Sequence, residues 1–258
     1  MMLQKYIDIN SDMGEVPASI ADGAQEEMMR SLTSVNIACG GHAGDESTMR
    51  ETVQQALRQR LAIGAHPGYP DRKNFGRIAL SLSSEEVAAL VAEQVAVLSR
   101  IAEECGARVT HVKAHGALYN QAVNDRALSA AIAQGVKRWG GEVVLVGLAG
   151  SAMLEEFRAA GFRAAGEAFA DRRYEPDGTL RSRQLTAAMI TDPAEAAAQA
   201  LSIAAHGKVH AIDGSEIAIE AETICIHGDT AGATDIAAAV AEALRQSGIT
   251  LRSLAARD

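Results

Sequence analysis

The sequence predicts an α/β fold: a closed or nearly closed barrel of parallel strands with helices outside. Three observations predict it. Seven short runs of β-branched or apolar residues recur along the 258-residue chain, each of a length that suits a strand buried on both faces. Longer segments with a 3.6-residue apolar rhythm lie between them, and β-α alternation argues a parallel sheet covered by helices. Polar residues concentrate just past the strand ends, where active sites of α/β barrels are built from βα loops.

The first strand, 6–10, carries Asp8 and Asn10 on one face, because side chains alternate with period two, and Asp12 and Glu15 follow it. A helix is read over 22–32. The second strand, 34–38, leads past Asn36, Cys39, His42 and Asp45 into a helix at 46–59. The glycine-rich stretch 39–45 offers backbone amides to an anion, or is an ordinary βα turn. The third strand, 62–65, ends at His66. The clearest helix is 85–105, where Val87, Leu90, Val91, Gln94, Leu98 and Ile101 share one stripe with Gln94 its only polar member. Ser83 or Ser84 fits its start and Gly106 its end.

The fourth strand, 109–112, sets His111, Lys113 and His115 in one phase, and a helix follows at 124–139. Strand 143–146 precedes a helix at 151–160. Strand 163–168 brings Glu167, Asp171 and Arg172, ahead of a helix at 193–206. Residues 208–219 look different: Asp213-Gly214 between short alternating runs reads as a hairpin turn. The last strand, 223–227, puts Cys225, His227 and Asp229 in one phase before a helix at 234–246. No linker composition divides residues 1–258, so a single barrel domain is expected, with the hairpin as a local excursion.

Composition narrows the function. Aromatics are 3% of the chain and the formal charge is −9, so neither a stacking platform nor a basic footprint for nucleic acid is present. Three cysteines without a CxxC spacing suit a reducing compartment. No signal-peptide pattern is visible, and the longest apolar run, 143–149, is too short to span a bilayer. A cytoplasmic protein acting on small molecules is expected, with a homo-oligomer compatible. Gly207-Lys208 is followed by valine without upstream glycines, so there is no P-loop.

Buried strands normally fill inward positions with aliphatics, so polar residues there must be paired, hydrated or functional. A lone histidine at a strand end is usually structural. His42, His66, His115 and His227, in four loops at one face, argue instead for a shared site. Cys39 and Cys225 read as small buried residues, and His206 and His210 as solvent-facing.

Six longer motifs extend these readings: DINSDMGE (8–15), VNIACGGHAGD (35–45), IGAHPGYPD with FGR (63–71, 75–77), HVKAHGALYN (111–120), EAFADRRYEPDGTLRSR (167–183) and TICIHGD (223–229). With them the chain resembles the LamB/YcsF family over nearly its whole length. The family commonly has an aromatic residue where Gly41 stands and a proline where Ala114 stands. The first departure is expected to enlarge or loosen the pocket, the second to free the loop before His115.

The resemblance implies a distorted seven-stranded β/α barrel similar to the glycoside hydrolase/deacetylase fold. It also implies an ATP-dependent 5-oxoprolinase reaction, in which 5-oxo-L-proline, ATP and water give L-glutamate, ADP and phosphate. That activity is expected from a complex with B and C subunits, which would supply most of the ATP site. In such a reaction Asp12 or a nearby histidine is the expected general base. His66, His115 and Lys113 are expected to face the oxyanion or phosphoryl oxygens. Glu167 or Asp171 would orient a histidine or take the ring-nitrogen proton. Arg77, Arg172 or the glycine loop would hold the substrate carboxylate, with Asn10, Asn36, His42, Tyr119, His227 and Asp229 completing the substrate-binding set. The alternatives are a stand-alone metal-dependent amide hydrolase and a noncatalytic lactam-binding component of the complex. No tight metal signature is present, so no metal is expected; were one bound, Asp12, His42, His66 and His227 have suitable donors.

Overall fold

The chain enters its main sheet at β1 (Tyr6–Met13) and continues through β2 (Ser34–Ala38), β3 (Ala62–His66), β4 (Val109–Lys113), β5 (Val144–Leu148) and β6 (Arg163–Phe169). Each is parallel to, and paired with, the one before. A two-stranded antiparallel hairpin, β7 (Lys208–His210) and β8 (Glu216–Ala218), stands apart. β9 (Thr223–Cys225) then pairs with both β6 and β1 and closes a seven-stranded parallel barrel. β10 (Thr250–Leu251) adds a short pairing beside Tyr6 and Ile7. This computed structural model describes residues 6–256.

Nine α-helices occur among the described residues: α1 (Pro17–Ala21), α2 (Ala24–Met29), α3 (Glu46–Arg58), α4 (Ser84–Glu104), α5 (Gly116–Ala122), α6 (Arg126–Trp139), α7 (Ala152–Ala159), α8 (Pro193–Leu201) and α9 (Ala233–Gln246). Their ends follow from local chemistry. Asp45 with Thr48, and Ser83 with Glu86, form reciprocal capping boxes at α3 and α4. Asp125 and Asp192 accept from Leu128 N–H and Glu195 N–H, satisfying helix-start amides at α6 and α8. The 193–206 segment ends its α-helix at Leu201 and continues as a wider π-turn, Ser202–His206.

Two boundaries matter for the site. β1 runs on to Met13 because Asp12 and Met13 still pair with Asn36 and Ile37 of β2. Asp12 therefore shares the inward face with Asp8 and Asn10. β9 stops at Cys225, so His227 lies in the following loop. His206 and His210 are exposed.

The apolar core lies mainly between sheet and helices, with Ile7, Ile9, Val35, Ile37, Leu98 and Ile101 fully buried. The barrel interior is largely polar. Asp8 accepts from Thr33, Ser34 and Thr223 hydroxyls. Above it Asn10 bonds Thr223 and Glu167, and Asn36 bonds Asn10 and Asp12. His111 Nε2 meets Asn36 Oδ1 at 3.0 Å. That ring fits because its neighbour strand carries Gly64, where a Cβ would lie 2.2 Å from His111 Nε2. Val144, Val146, Ala165 and Leu254 form a separate small apolar cluster.

Candidate active site

The polar ladder rises to a cavity of about 520 Å³ at the carboxyl ends of the strands. Of the residues singled out from sequence, Asp12, His66, Lys113, His115, Tyr119, Arg172, His227, Arg77 and Asp229 line it. Glu15, Phe169 and Arg183 line it too, and sequence reasoning does not single them out as site residues. Asn10, Asn36, His42, Glu167 and Asp171 are expected at the substrate but do not reach the cavity. They are buried one layer back, where they hold the residues that do.

Lys113 sits at the centre. Its Nζ is 3.0 Å from Asp12 Oδ1, 3.0 Å from Glu167 Oε1 and 3.1 Å from Cys225 Sγ. The ammonium donates to Asp12 and Cys225, more weakly to Asn10 Oδ1 at 3.5 Å, and pairs with the Glu167 carboxylate. Lys113 also lines the cavity, with its ammonium held by these groups. Burial opposes its charge, but Asp12, Cys225 and Glu167 keep its pKa well above the usual lysine value. Burial likewise works against ionisation of Asp12, yet His66 and Lys113 hold its carboxyl well below the ordinary range. Burial disfavours protonation of His66, and Asp12 outweighs it to raise the ring's pKa. Cys225 is a buried thiol whose pKa is pushed well up by burial.

One wall is a histidine cluster. His66 Nδ1 meets the Lys113 carbonyl at 2.8 Å, and its Nε2 faces His115 Nδ1 at 2.9 Å and Asp12 Oδ2 at 3.3 Å. His115 Nε2 meets the Phe75 carbonyl at 2.9 Å. His42 stacks on His115 with centroids 3.6 Å apart, and its Nε2 lies 2.9 Å from Glu15 Oε1. Glu15 is the shared acid: burial would raise its pKa, but bonds to His115 and His42 hold it far below the usual value.

The opposite arrangement surrounds His227. Asp171, fully buried, accepts from His227 N–H at 3.0 Å and Thr230 Oγ1 at 2.7 Å, and lies 3.0 Å from His227 Nδ1. Burial opposes its charge, but His227 and Thr230 keep its pKa low. An ionised carboxylate only accepts, so Nδ1 carries the hydrogen and Nε2 is left to the cavity. Phe169 stacks on the ring at 5.4 Å.

The mouth is cationic. Arg77 and Arg183 both pair with Asp229. Arg172 is buried, makes no ion pair among the described residues, and its Nε has no hydrogen-bond partner. Burial, with Arg183 nearby, lowers its pKa to about 10. The Tyr119 hydroxyl is likewise buried without a partner.

Three expectations about loops are corrected. The glycine loop does not line the cavity, so it does not hold a substrate there: Gly40 N–H bonds Ala43 O, Asp45 caps α3, and Arg72 donates to the Gly40 and Gly44 carbonyls. Gly41 does not enlarge the cavity, because a Cβ there would meet Gly68 O at 2.6 Å and the Gln94 amide at 2.7 Å. Gln94, the odd polar member of the α4 stripe, bonds both Gly68 N–H and Gly68 O. Ala114 does not free its loop: it is buried, and the next amide, of His115, donates to Pro67 O at 2.8 Å.

A profile of the LamB/YcsF family matches residues 7–258. The chain belongs to the LamB/YcsF family. A relative from Bordetella parapertussis, named as the A subunit of 5-oxoprolinase, is 47% identical over 247 residues, covering 96% of this chain and 98% of that one. A solved lactam utilization protein from Thermus thermophilus superposes with a TM-score of 0.88 at 42% identity, over 96% of this chain and 100% of that one. The LamB/YcsF barrel also shares its fold with a Bacillus subtilis peptidoglycan deacetylase, at a TM-score of 0.50 and 15% identity, over 97% and 88% of the two chains. Glu15 and Arg183 each fall inside one of the long motifs. Their signal is motif membership, which spacing alone does not convert into a role.

Proposed function

We propose that this chain is the lactam-opening A subunit of an ATP-dependent 5-oxoprolinase, working in the cytoplasm with B and C subunits that bind ATP. The observation that carries the reading is Arg172, a buried guanidinium without a carboxylate partner, in the wall of a small cavity that also holds paired acids and histidines. A bidentate donor of that kind suits the substrate carboxylate. Arg77 and Arg183 add charge for a second anionic group, and the Tyr119 hydroxyl is a hydrogen bond in waiting.

A five-membered lactam resists hydrolysis because its amide is resonance-stabilised. Phosphorylation of the amide oxygen by the partner subunits makes the carbon a better electrophile. Water then adds at that carbon, the C–N bond breaks as the ring nitrogen takes a proton and becomes the amine, and a second water splits the resulting acyl phosphate into the glutamate carboxylate and phosphate. His227, oriented by Asp171, is the group placed to supply the ring-nitrogen proton. Glu15, His66 and His115, with Asp12, hold the attacking water. Asp171, Glu167 and His42 act as positioning residues.

Glutamate release from 5-oxoproline, by this chain alone and with B and C subunits, with and without ATP, tests the proposal. Release should require all subunits and ATP. His227→Ala should lower kcat roughly 10²–10⁴-fold with the complex intact, and Arg172→Ala should act mainly on KM. Turnover by the chain alone without ATP, or near-normal turnover by a folded His227→Ala complex, would overturn it.

A further inference from the structure

The histidine wall carries more than a water site. Carbonyl oxygens only accept hydrogen bonds, so His66 Nδ1, on Lys113 O at 2.8 Å, and His115 Nε2, on Phe75 O at 2.9 Å, both carry hydrogens. In neutral rings that leaves His66 Nε2 and His115 Nδ1 as lone pairs, and these two atoms face each other at 2.9 Å. Glu15 Oε1, a third electron-pair donor, is 3.2 Å from His115 Nδ1 and 3.8 Å from His66 Nε2. With both rings neutral, as metal ligands are, three electron-pair donors converge on one point.

The spacing is that of a coordination shell. Tetrahedral ligands at zinc distances of about 2.0–2.1 Å stand roughly 3.3–3.4 Å from one another. The observed 2.9, 3.2 and 3.8 Å straddle that value. Outer N–H groups tied to backbone carbonyls are the arrangement that orients metal-binding histidines. Glu15, His66 and His115 all line the cavity, so a fourth position opens toward substrate. Two histidines, one glutamate and an open position form a known catalytic zinc set.

His42 does not join them. Its ring lies parallel to His115, 5° apart in plane and 3.6 Å in centroid, so no ion can lie in the plane of both. It instead fixes Glu15 through Nε2. Asp12, Cys225 and His227 form a second donor group, but Asp12 and Cys225 already hold the Lys113 ammonium, which repels another cation.

We propose that Glu15 Oε1, His66 Nε2 and His115 Nδ1 bind one zinc-class divalent cation, with water in the cavity-facing position. Asp12 stands beside it as a second carboxylate. This replaces the donor set expected from sequence: His42 is a positioning group and His227 belongs to the Asp171 pair. Use of the ion to activate the attacking water rests on the lactam-opening reading; binding of the ion does not.

The test separates the two. The full chain is stripped with chelator and titrated with Zn²⁺ by calorimetry, with metal analysis of the product. One ion per chain is expected. His66→Gln, His115→Gln and Glu15→Gln should each weaken binding more than about 100-fold, beyond the loss from an outer-sphere change, with circular dichroism unchanged. Cys225→Ser and His227→Ala should retain one ion. Cobalt substitution should give tetrahedral bands without sulfur-to-metal charge transfer. No stoichiometric binding, or binding lost in Cys225→Ser, would overturn the site. Stoichiometric zinc with glutamate formation unchanged after stripping would overturn only its catalytic use. Stoichiometric zinc in a complex that forms no glutamate from 5-oxoproline would overturn the lactam reading and support the metal site.

Discussion

His111 shows how tightly the interior is specified at the level of single residues. Its ring is buried against Asn36 in a space that exists because Gly64 has no side chain. Burial, with Lys113 and His66 nearby, pushes its pKa down to about 3. The unfolded ring titrates near 6.5. Below that pH the unfolded chain takes up a proton that the folded chain refuses until pH is near 3, so stability falls as pH drops through this window. Thermal or urea unfolding of His111→Gln against the parent should give a shallower pH slope between about 6.5 and 4.5, by up to roughly 1.4 kcal/mol per pH unit. An unchanged slope would show the ring to be protonated in the folded state. Glu15 is the residue that strand phase does not reach. It lies beyond the end of β1, past Gly14, so its place between His42 and His115 depends on a turn that periodicity does not encode. His66 and Lys113 were legible because polar side chains at inward strand positions need a reason to be there, and His115 because it continues the phase of Lys113 just past the strand end.

At the level of elements, the strands were readable because each is a short buried run bounded by turns. The α5 helix was not: its first five residues fall inside the HGALYN motif, and its seven residues are too few for a stripe, so the sequence reading places a helix only from 124. Nor was the role of Gln94 legible, since its partner Gly68 lies 26 positions away. α8 carries a comparable device. Gln199 Nε2 reaches the carbonyls of Phe169 at 2.7 Å and Arg172 at 2.8 Å, tying the end of β6 to the helix. Gln199→Leu strips those acceptors of their donor, at a cost of about 1–3 kcal/mol. It should also loosen Arg172, so binding of 5-oxoproline by calorimetry should weaken together with the melting temperature. A stable variant with unchanged affinity would separate the helix from the cavity.

At the level of the whole molecule, charge and site oppose each other. The chain is net −9, yet Arg77, Arg172 and Arg183 gather at one mouth. A focused cationic patch on an acidic body attracts anions in a salt-dependent way. Affinity for 5-oxoproline should therefore fall several-fold between about 0.05 and 0.5 M salt, while any binding of 2-pyrrolidinone, the same ring without the carboxylate, should not change. Equal salt dependence for both would remove the arginines from recognition. No helix among the described residues is long and apolar enough to cross a membrane. The connection from β6 to β9 has one further consequence. Its residues 177–184 roof the cavity, and the same stretch of chain supplies α8 and the hairpin. The floor comes instead from the ends of the other strands. Roof and floor can thus change at different rates over descent. A lineage could exchange one ring-shaped substrate for another by rewriting a single exposed loop, while the buried acids and histidines beneath it stay as they are.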